Sequence, residues 1–382
     1  MLPFGTAVIF SGLILGSVVA LTATSQSAQS PAPGSAQTPA SAQPPAQDPV
    51  EVDDSPVSIF ELAAPPRPQP VKGGDQTAAG QPVFRDSVEV INMSVTVSDT
   101  KGKTVPGLVK EDFVILEDGK QQEIVNFRTV GTGKDDIPVP IGVGLVLDYS
   151  GSMCDFGDYS KQGYCTDSEA LGAVRTAVNA ILTKKLKKDD EAYFIEFSTT
   201  PSLAHPWTTD KKSILEAMRR QKTKDGTAIY DAIAMALPVS AKGKHKKQIM
   251  VVITDGDDTN STVNRAKLAE LARASEVIIY ALVVGSEEGV GSGRQTATSG
   301  TRLRQSTEEL SQITDATGGR ALFLRGFTEL EKALNEFASD FTTQYEIGFQ
   351  RSAEADGKYH PVRVGVRKKE VTVRHRLGYV AD

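Results

Sequence analysis

The sequence predicts an α/β protein. It should hold a doubly wound, mostly parallel sheet with helices on both faces, flanked by a small all-β subdomain built from the N- and C-terminal segments. Three observations carry this expectation. Five short, continuous apolar runs alternate with helical stretches between residues 141 and 324. Strands that are apolar on both faces are how a parallel sheet looks in sequence. Strand-like alternation stands on either side of that region, over 87–98 and again after 342. Either flank alone is too small to bury a core, so the two are expected to pair with each other.

The chain opens with an uncharged, largely apolar run from Leu2 to Leu21, and no charged side chain precedes Asp48. Residues 1–25 are therefore expected to be a signal peptide, with Ala23-Thr24-Ser25 as the cleavage region, or an uncleaved N-terminal anchor. Either role exports the rest of the chain to the periplasm, the cell surface or the medium. The anchor would be the only membrane association. A lipoprotein signal is excluded, because the first cysteine is Cys154. Residues 26–83 are rich in Pro, Ala, Gln, Ser and Gly, and 13 of the 20 prolines lie at or before Pro82. Such a composition cannot bury enough apolar surface to offset its ordering entropy, which predicts a disordered linker.

The folded elements follow in order. Residues 84–132 make the first part of the β subdomain. Phe113–Leu116 and Ile124–Phe127 flank an Asp118-Gly119 turn, which predicts a hairpin. Residues 137–340 make the α/β domain. Its strands are expected at Ile141–Leu147, Ala192–Phe197, Ile249–Thr254, Val277–Val284 and Ala321–Leu324. One helix is marked by Ala170, Leu171, Val174, Val178, Ile181 and Leu182 at spacings of three and four. Others are expected near 227–237, 262–274, 306–316 and 328–341. Residues 342–382 return to strands and complete the β subdomain.

Composition removes several functions. A net charge of -6 argues against a dedicated nucleic-acid surface. Four scattered histidines and two cysteines exclude a zinc-finger, histidine-rich or iron–sulfur centre.

The chemistry concentrates at strand ends. The first α/β strand finishes in Asp148-Tyr149-Ser150-Gly151-Ser152, an Asp-x-Ser-x-Ser sequence at the carboxyl edge where open α/β sheets bind ligands. Thr227, before the next helix, and Asp255, after the strand ending at Thr254, fall on the same edge. Two carboxylates and three hydroxyls are hard oxygen donors. They suit Mg²⁺ or Mn²⁺, while Ca²⁺ usually takes more ligands and fits less well. Neutral hydroxyls leave the cation electrophilic, so an Asp or Glu carboxylate from a partner protein can complete its coordination.

The Asp148-x-Ser150-x-Ser152 motif, Thr227 and Thr254-Asp255-Gly256 resemble the metal-ion-dependent adhesion site of von Willebrand factor type A domains. The spacing and strand context match over roughly 137–340. The leading GLVKEDFVILEDGKQQEIVNF and the closing YEIGF and DGKYHPVRVGVRKKEVTVRHRLGYV are similar to the flanks of the VWFA-related proteins of acidobacteria. The resemblance implies a metal-dependent protein-binding or adhesion module, not an enzyme. It implies that Ser150, Ser152 and Thr227 touch the metal directly, and that Asp148 and Asp255 act directly or through water.

Each assignment has a blander alternative. Asp148, Ser150 and Ser152 could form a polar strand-to-helix turn with capping serines, but Thr227 and Asp255 recur at matching edges. Asp231, four residues after Thr227, could support the site or only complement a helix dipole. Asp257 and Asp258 are expected to be solvated loop acids. Cys154 and Cys165 bracket CDFGDYSKQGYC and should form a disulfide outside the cytoplasm, worth about 3 kcal/mol in the chain-entropy model. Two free thiols would require a reducing compartment. Phe156, Tyr159 and Tyr164 in this loop could contact a partner. The Gly/Ser-rich stretch 285–300, with Arg294, is expected to be a loop on the same face. Lys184–Lys188 and Lys242–Lys247 precede strands, so they belong on the opposite face as solvated surface. Among other functions, the metal could be purely structural or the site degenerate, leaving a scaffold. A hydrolase using Ser150 or Ser152 lacks a Gly-x-Ser-x-Gly elbow and a suitably placed histidine.

Overall fold

A computed structural model describes residues 89–131, 139–154, 164–285, 297–342, 344–352 and 355–381, with the backbone alone at 297–303 and 342. The expectations for 1–25 and 26–83 lie outside the described residues, as do those for Phe156, Tyr159 and Arg294.

The first segment supplies β1 (Val90–Asp99), β2 (Phe113–Glu117), β3 (Lys120–Gln122) and β4 (Ile124–Val130). The α/β region runs β5 (Ile141–Asp148), α1 (Glu169–Lys184), β6 (Glu191–Phe197), β7 (Pro201–Thr208), α2 (Lys211–Arg220), α3 (Ile229–Ser240), β8 (Lys247–Thr254), α4 (Arg265–Ala274), β9 (Ile278–Val284), α5 (Ala297–Ala316), β10 (Arg320–Leu324) and α6 (Leu330–Thr342). The last segment adds β11 (Gln344–Gln350), β12 (Tyr359–Val366), β13 (Val371–Arg374) and β14 (Gly378–Val380).

The fold class is the one the sequence predicts. The central sheet has the order β10-β9-β8-β5-β6-β7, parallel except for β7. Every residue of β5, β6, β8 and β9 is buried, which explains their unbroken apolar runs. Residues of α1, α2 and α6 pack on one face of the sheet, and residues of α3, α4 and α5 on the other. Side-chain caps start several helices: Ser168 Oγ accepts from Leu171 N at 3.1 Å, and Asn264 Oδ1 accepts from Lys267 N at 2.9 Å. The chain leaves β5 toward β6 and β7, then returns to place β8, β9 and β10 on the other side. Such a reversal opens a crevice beyond the carboxyl ends of the two strands that flank it, here β5 and β8.

Within the α/β region, two elements were not anticipated. The antiparallel edge strand β7 carries Pro201 and Pro206 and is only partly buried, so it lacks a strand signature. The largely polar helix α2 buries only Ile214, Ala217 and Met218. In addition, α5 begins at Ala297, so residues 297–300 are helical where a loop was expected.

Outside this sheet, two four-stranded antiparallel sheets, β13-β1-β11-β4 and β14-β12-β2-β3, enclose one core. β1 pairs with β11 from Val90↔Gln350 to Val95↔Tyr345, and β2 pairs with β12 from Phe113↔Val366 to Glu117↔Val362. Segments before and after the α/β region thus share hydrogen bonds and a core that includes Met93, Val95, Ile115, Ile347 and Phe349. The hairpin expectation is corrected here. The Asp118-Gly119 turn joins β2 to the short β3, whereas β4 crosses to the other sheet and pairs with β11. In the sheet with β11, the two ends of β4, Ile124 and Val130, are buried.

Side chains fasten α6 to both structures. Asp340, 1% exposed, accepts from Arg374 of β13 at 2.9 Å and pairs with Arg320 of β10 at 3.1 Å. Lys247 Nζ donates to Phe341 O at 2.7 Å, and burial pushes this amine down to about 8.

Candidate functional site

The crevice between β5 and β8 gathers the residues that the sequence singles out. Asp148 is the last residue of β5 and is 1% exposed. Its Oδ1 accepts from the Ser150 backbone N–H at 2.7 Å, which folds the following turn back on the strand. Ser150 Oγ and Ser152 Oγ are 2.9 Å apart, and Ser152 Oγ donates to Asp255 Oδ1 at 2.8 Å. Thr227 lies at the amino end of α3. A Cβ built on Gly256 would stand 3.7 Å from Thr227 Oγ1 and 3.9 Å from Ser152 Oγ, so both hydroxyls approach the same backbone turn. Asp148, Ser150, Ser152, Thr227 and Asp255, widely separated in sequence, therefore share one edge.

Further residues hold this arrangement, and sequence reasoning did not assign them roles. Thr254, fully buried at the end of β8, donates from Oγ1 to Asp148 Oδ2 at 2.6 Å. Both oxygens of Asp148 are thereby fixed. Thr254 belongs to the Thr254-Asp255-Gly256 stretch of the resemblance, but its role as the holder of Asp148 is visible only in the structure. Thr259 holds the other side: its Oγ1 accepts from Thr227 N at 3.1 Å, and its own N–H donates to Thr227 O at 2.8 Å.

The electrostatics of the two acids follow from their enclosure. Burial pushes the Asp148 carboxyl up, and the hydrogen bonds from Ser150 and Thr254 offset part of that. Burial, and then the charge of Asp148, push Asp255 up to about 7. Two ionised carboxylates this close would repel each other, and a divalent cation between them would relieve the repulsion. The donors are all oxygen, which fits Mg²⁺ or Mn²⁺. No group of three or more His, Cys, Asp and Glu side chains able to hold a metal is gathered among the described residues, so an oxygen set at this edge has to include hydroxyls.

Other candidates take other places. The Asp231 carboxylate accepts from Thr262 N at 3.1 and 3.0 Å and from Val263 N at 2.8 Å, so it anchors the loop before α4. Asp258 Oδ1 accepts from Tyr230 N at 3.2 Å and Ser261 Oγ at 2.6 Å, which makes it a loop fastener and not only a solvated acid. Cys154 and Cys165 are joined in a disulfide. Tyr164 lies beneath the Lys222 ammonium, 4.1 Å from its ring centre. Lys244, Lys246 and Lys247 line a cleft of about 650 Å³ together with Arg128 and Arg376. Lys247 is buried there, so the expectation of a uniformly solvated cluster is corrected.

Residues 143–257, which include all five convergent side chains, match the family model of the von Willebrand factor type A domain. Over these residues the chain carries a von Willebrand factor type A domain. Such A domains are interaction modules and are generally not enzymes. An uncharacterized protein of Synechocystis sp. is 26% identical over 154 residues, which are 39% of this chain and 33% of the relative. The chain thus spans about a third of the curated relative that it matches. Among solved structures, the PilB minor pilin of Streptococcus sanguinis aligns with a TM-score of 0.41 and 13% identity, over 55% of this chain and 63% of that one. BatB of Bacteroides thetaiotaomicron aligns with a TM-score of 0.37 and 20% identity, over 53% and 98%. No helix among the described residues is long and apolar enough to cross a membrane.

Proposed function

We propose that this A domain is an exported adhesion-type module that binds a divalent cation at the β5–β8 crevice. Through that cation it engages an Asp or Glu side chain of a partner protein. The observation that carries the proposal is the pairing of buried Asp148 with half-buried Asp255 through the Ser150–Ser152 turn: Asp148 accepts from the Ser150 N–H, Ser150 Oγ meets Ser152 Oγ, and Ser152 Oγ donates to Asp255. Asp148, Ser150, Ser152, Thr227 and Asp255 would hold Mg²⁺ or Mn²⁺. The bound cation would supply an electrophilic position that a partner carboxylate can occupy. The exposure of Ser152 supports a site that opens to solvent on that side. The chain's own work is to orient the donors: Thr254 holds Asp148, and Thr259 holds Thr227.

A hydrolase using Ser150 or Ser152 finds less support. Among the described residues, His375 bonds the Val364 amide and His360 bonds Asp118, both among strands of the β13 and β12 sheets, and neither is bonded to a serine of the site. The leading proposal is tested by titrating the full chain with Mg²⁺ and Mn²⁺ in a calorimeter. Saturable binding that disappears in Asp148→Ala and in Asp255→Ala is the expected result. Unchanged affinity in either variant would remove that residue from the site, and no binding by the native chain would overturn the cation reading. Partner binding should then be abolished both by EDTA and by Asp255→Ala.

A further inference from the structure

We infer that the Cys154–Cys165 disulfide and Thr223 form a clamp that positions Thr227 against the Ser150–Ser152 turn. This deepens the cation reading above and rests on it only for the affinity measurement. The strip 221–227 connects α2 to α3 and delivers Thr227 to the site. Its beginning is tied to the disulfide. Thr223 N–H donates to Cys165 O at 3.0 Å, and Thr223 Oγ1 accepts from Cys165 N at 3.0 Å. Thr223 is 1% exposed, Cys165 2% and Cys154 9%, so these bonds are shielded from water.

The other half of the disulfide belongs to the turn that carries the site serines. Cys154 N–H donates to Gly151 O at 3.1 Å, and Met153 N–H donates to Ser150 O at 3.2 Å. Ser168 Oγ, the cap of α1, donates to Met153 O at 2.6 Å. One further bond crosses between the halves: Lys224 N–H donates to Tyr149 O at 3.0 Å. The covalent bridge therefore joins the serine turn to residue 165, and Thr223 passes that constraint to a strip that ends four residues later at Thr227.

The physical consequence concerns populations. A cation that needs hydroxyls from both sides binds only when the two sides are in register, and its apparent affinity scales with the fraction of chains so arranged. The clamp raises that fraction before any cation arrives. Thr223 is on this account a positioning residue, and its reach to the cation runs through the strip.

Three full-chain variants test this: the double variant Cys154→Ser/Cys165→Ser, Thr223→Val, and Thr223→Ser. The first readout is hydrogen exchange in peptides covering 164–168 and 221–228, without added metal. The second is calorimetric Mg²⁺ affinity. The double variant and Thr223→Val should exchange faster in both peptides while the amides of β5 and β8 stay protected. Their Mg²⁺ affinity should fall by about tenfold. Thr223→Ser keeps the hydroxyl and should restore both readouts. Native exchange in 221–228 for Thr223→Val would overturn the clamp, as would native Mg²⁺ affinity in both weakened variants. If the double variant fails to fold, Thr223→Val, which keeps the side-chain shape, decides alone. If the native chain binds no Mg²⁺, the cation reading fails, and the exchange data still decide the clamp.

Discussion

At the scale of single residues, the site depends on how few atoms carry its geometry. Asp148 has two carboxylate oxygens; the Ser150 amide donates to one and the Thr254 hydroxyl to the other. Groups that orient a ligating side chain typically matter by about 10- to 100-fold in metal affinity. Thr254→Val should therefore weaken Mg²⁺ binding by that order, and Thr254→Ser should restore it. Equal affinity in calorimetric titrations of Thr254→Val and the native chain would show that Asp148 is held by other means. The Asp-x-Ser-x-Ser spacing makes Asp148, Ser150 and Ser152 legible without a structure, because a short polar motif after an apolar strand is conspicuous. Thr254 and Thr223 are not legible, since their roles depend on partners more than fifty residues away.

At the scale of elements, the strand β5 shows why a buried segment carries glycines. A Cβ on Gly144 would stand 2.3 Å from the ring of Tyr193 on β6. That ring lies fully buried, with its hydroxyl 2.8 Å from Ser240 Oγ in α3. The missing side chain makes room for an aromatic that links β6 to α3. Gly144→Ala must displace the ring, and overpacking of this kind costs about 1–3 kcal/mol. Urea unfolding should report a loss in that range, and a midpoint equal to that of the native chain would mean that Tyr193 moves freely. The apolar runs of β5, β6, β8 and β9 were legible because full burial leaves few polar residues on either face, whereas β10, half-buried except for Leu324, shows only a short apolar run. β7 was not legible, because an exposed edge strand tolerates proline and needs little apolar surface.

At the scale of the whole molecule, the β-sheets and the A domain meet at a junction of backbone contacts. Gly318, at φ +84°, follows α5 in a conformation that favours glycine, and a Cβ there would stand 2.7 Å from the carbonyl carbon of His375. Leu377 N–H donates to Ala316 O at 3.0 Å across the same contact. His375 itself is buried, its Nε2 accepting from Val364 N at 3.0 Å, and burial pushes its imidazole down to about 4. The unfolded chain takes up this proton first, near pH 6.5, so the folded state holds its full advantage above that pH. The advantage is lost as pH falls from 6.5 toward about 4. A displacement of this size amounts to about 3 kcal/mol. Urea midpoints measured from pH 7 to pH 4 should fall more steeply for the native chain than for His375→Gln, and parallel profiles would exclude His375 as the source.

The sequence by itself determined the alternation of strands and helices, the buried strands, and the five polar residues at the carboxyl edge. All of these are written in local composition, which responds directly to burial on one face or two. The tertiary structure alone decided which strands pair, that β4 leaves its expected hairpin for β11, and which threonines hold Asp148 and Thr227 in place. Those outcomes depend on contacts between distant segments. Many sequences satisfy the same local pattern, and only burial of both β segments in one shared core selects among the pairings they allow.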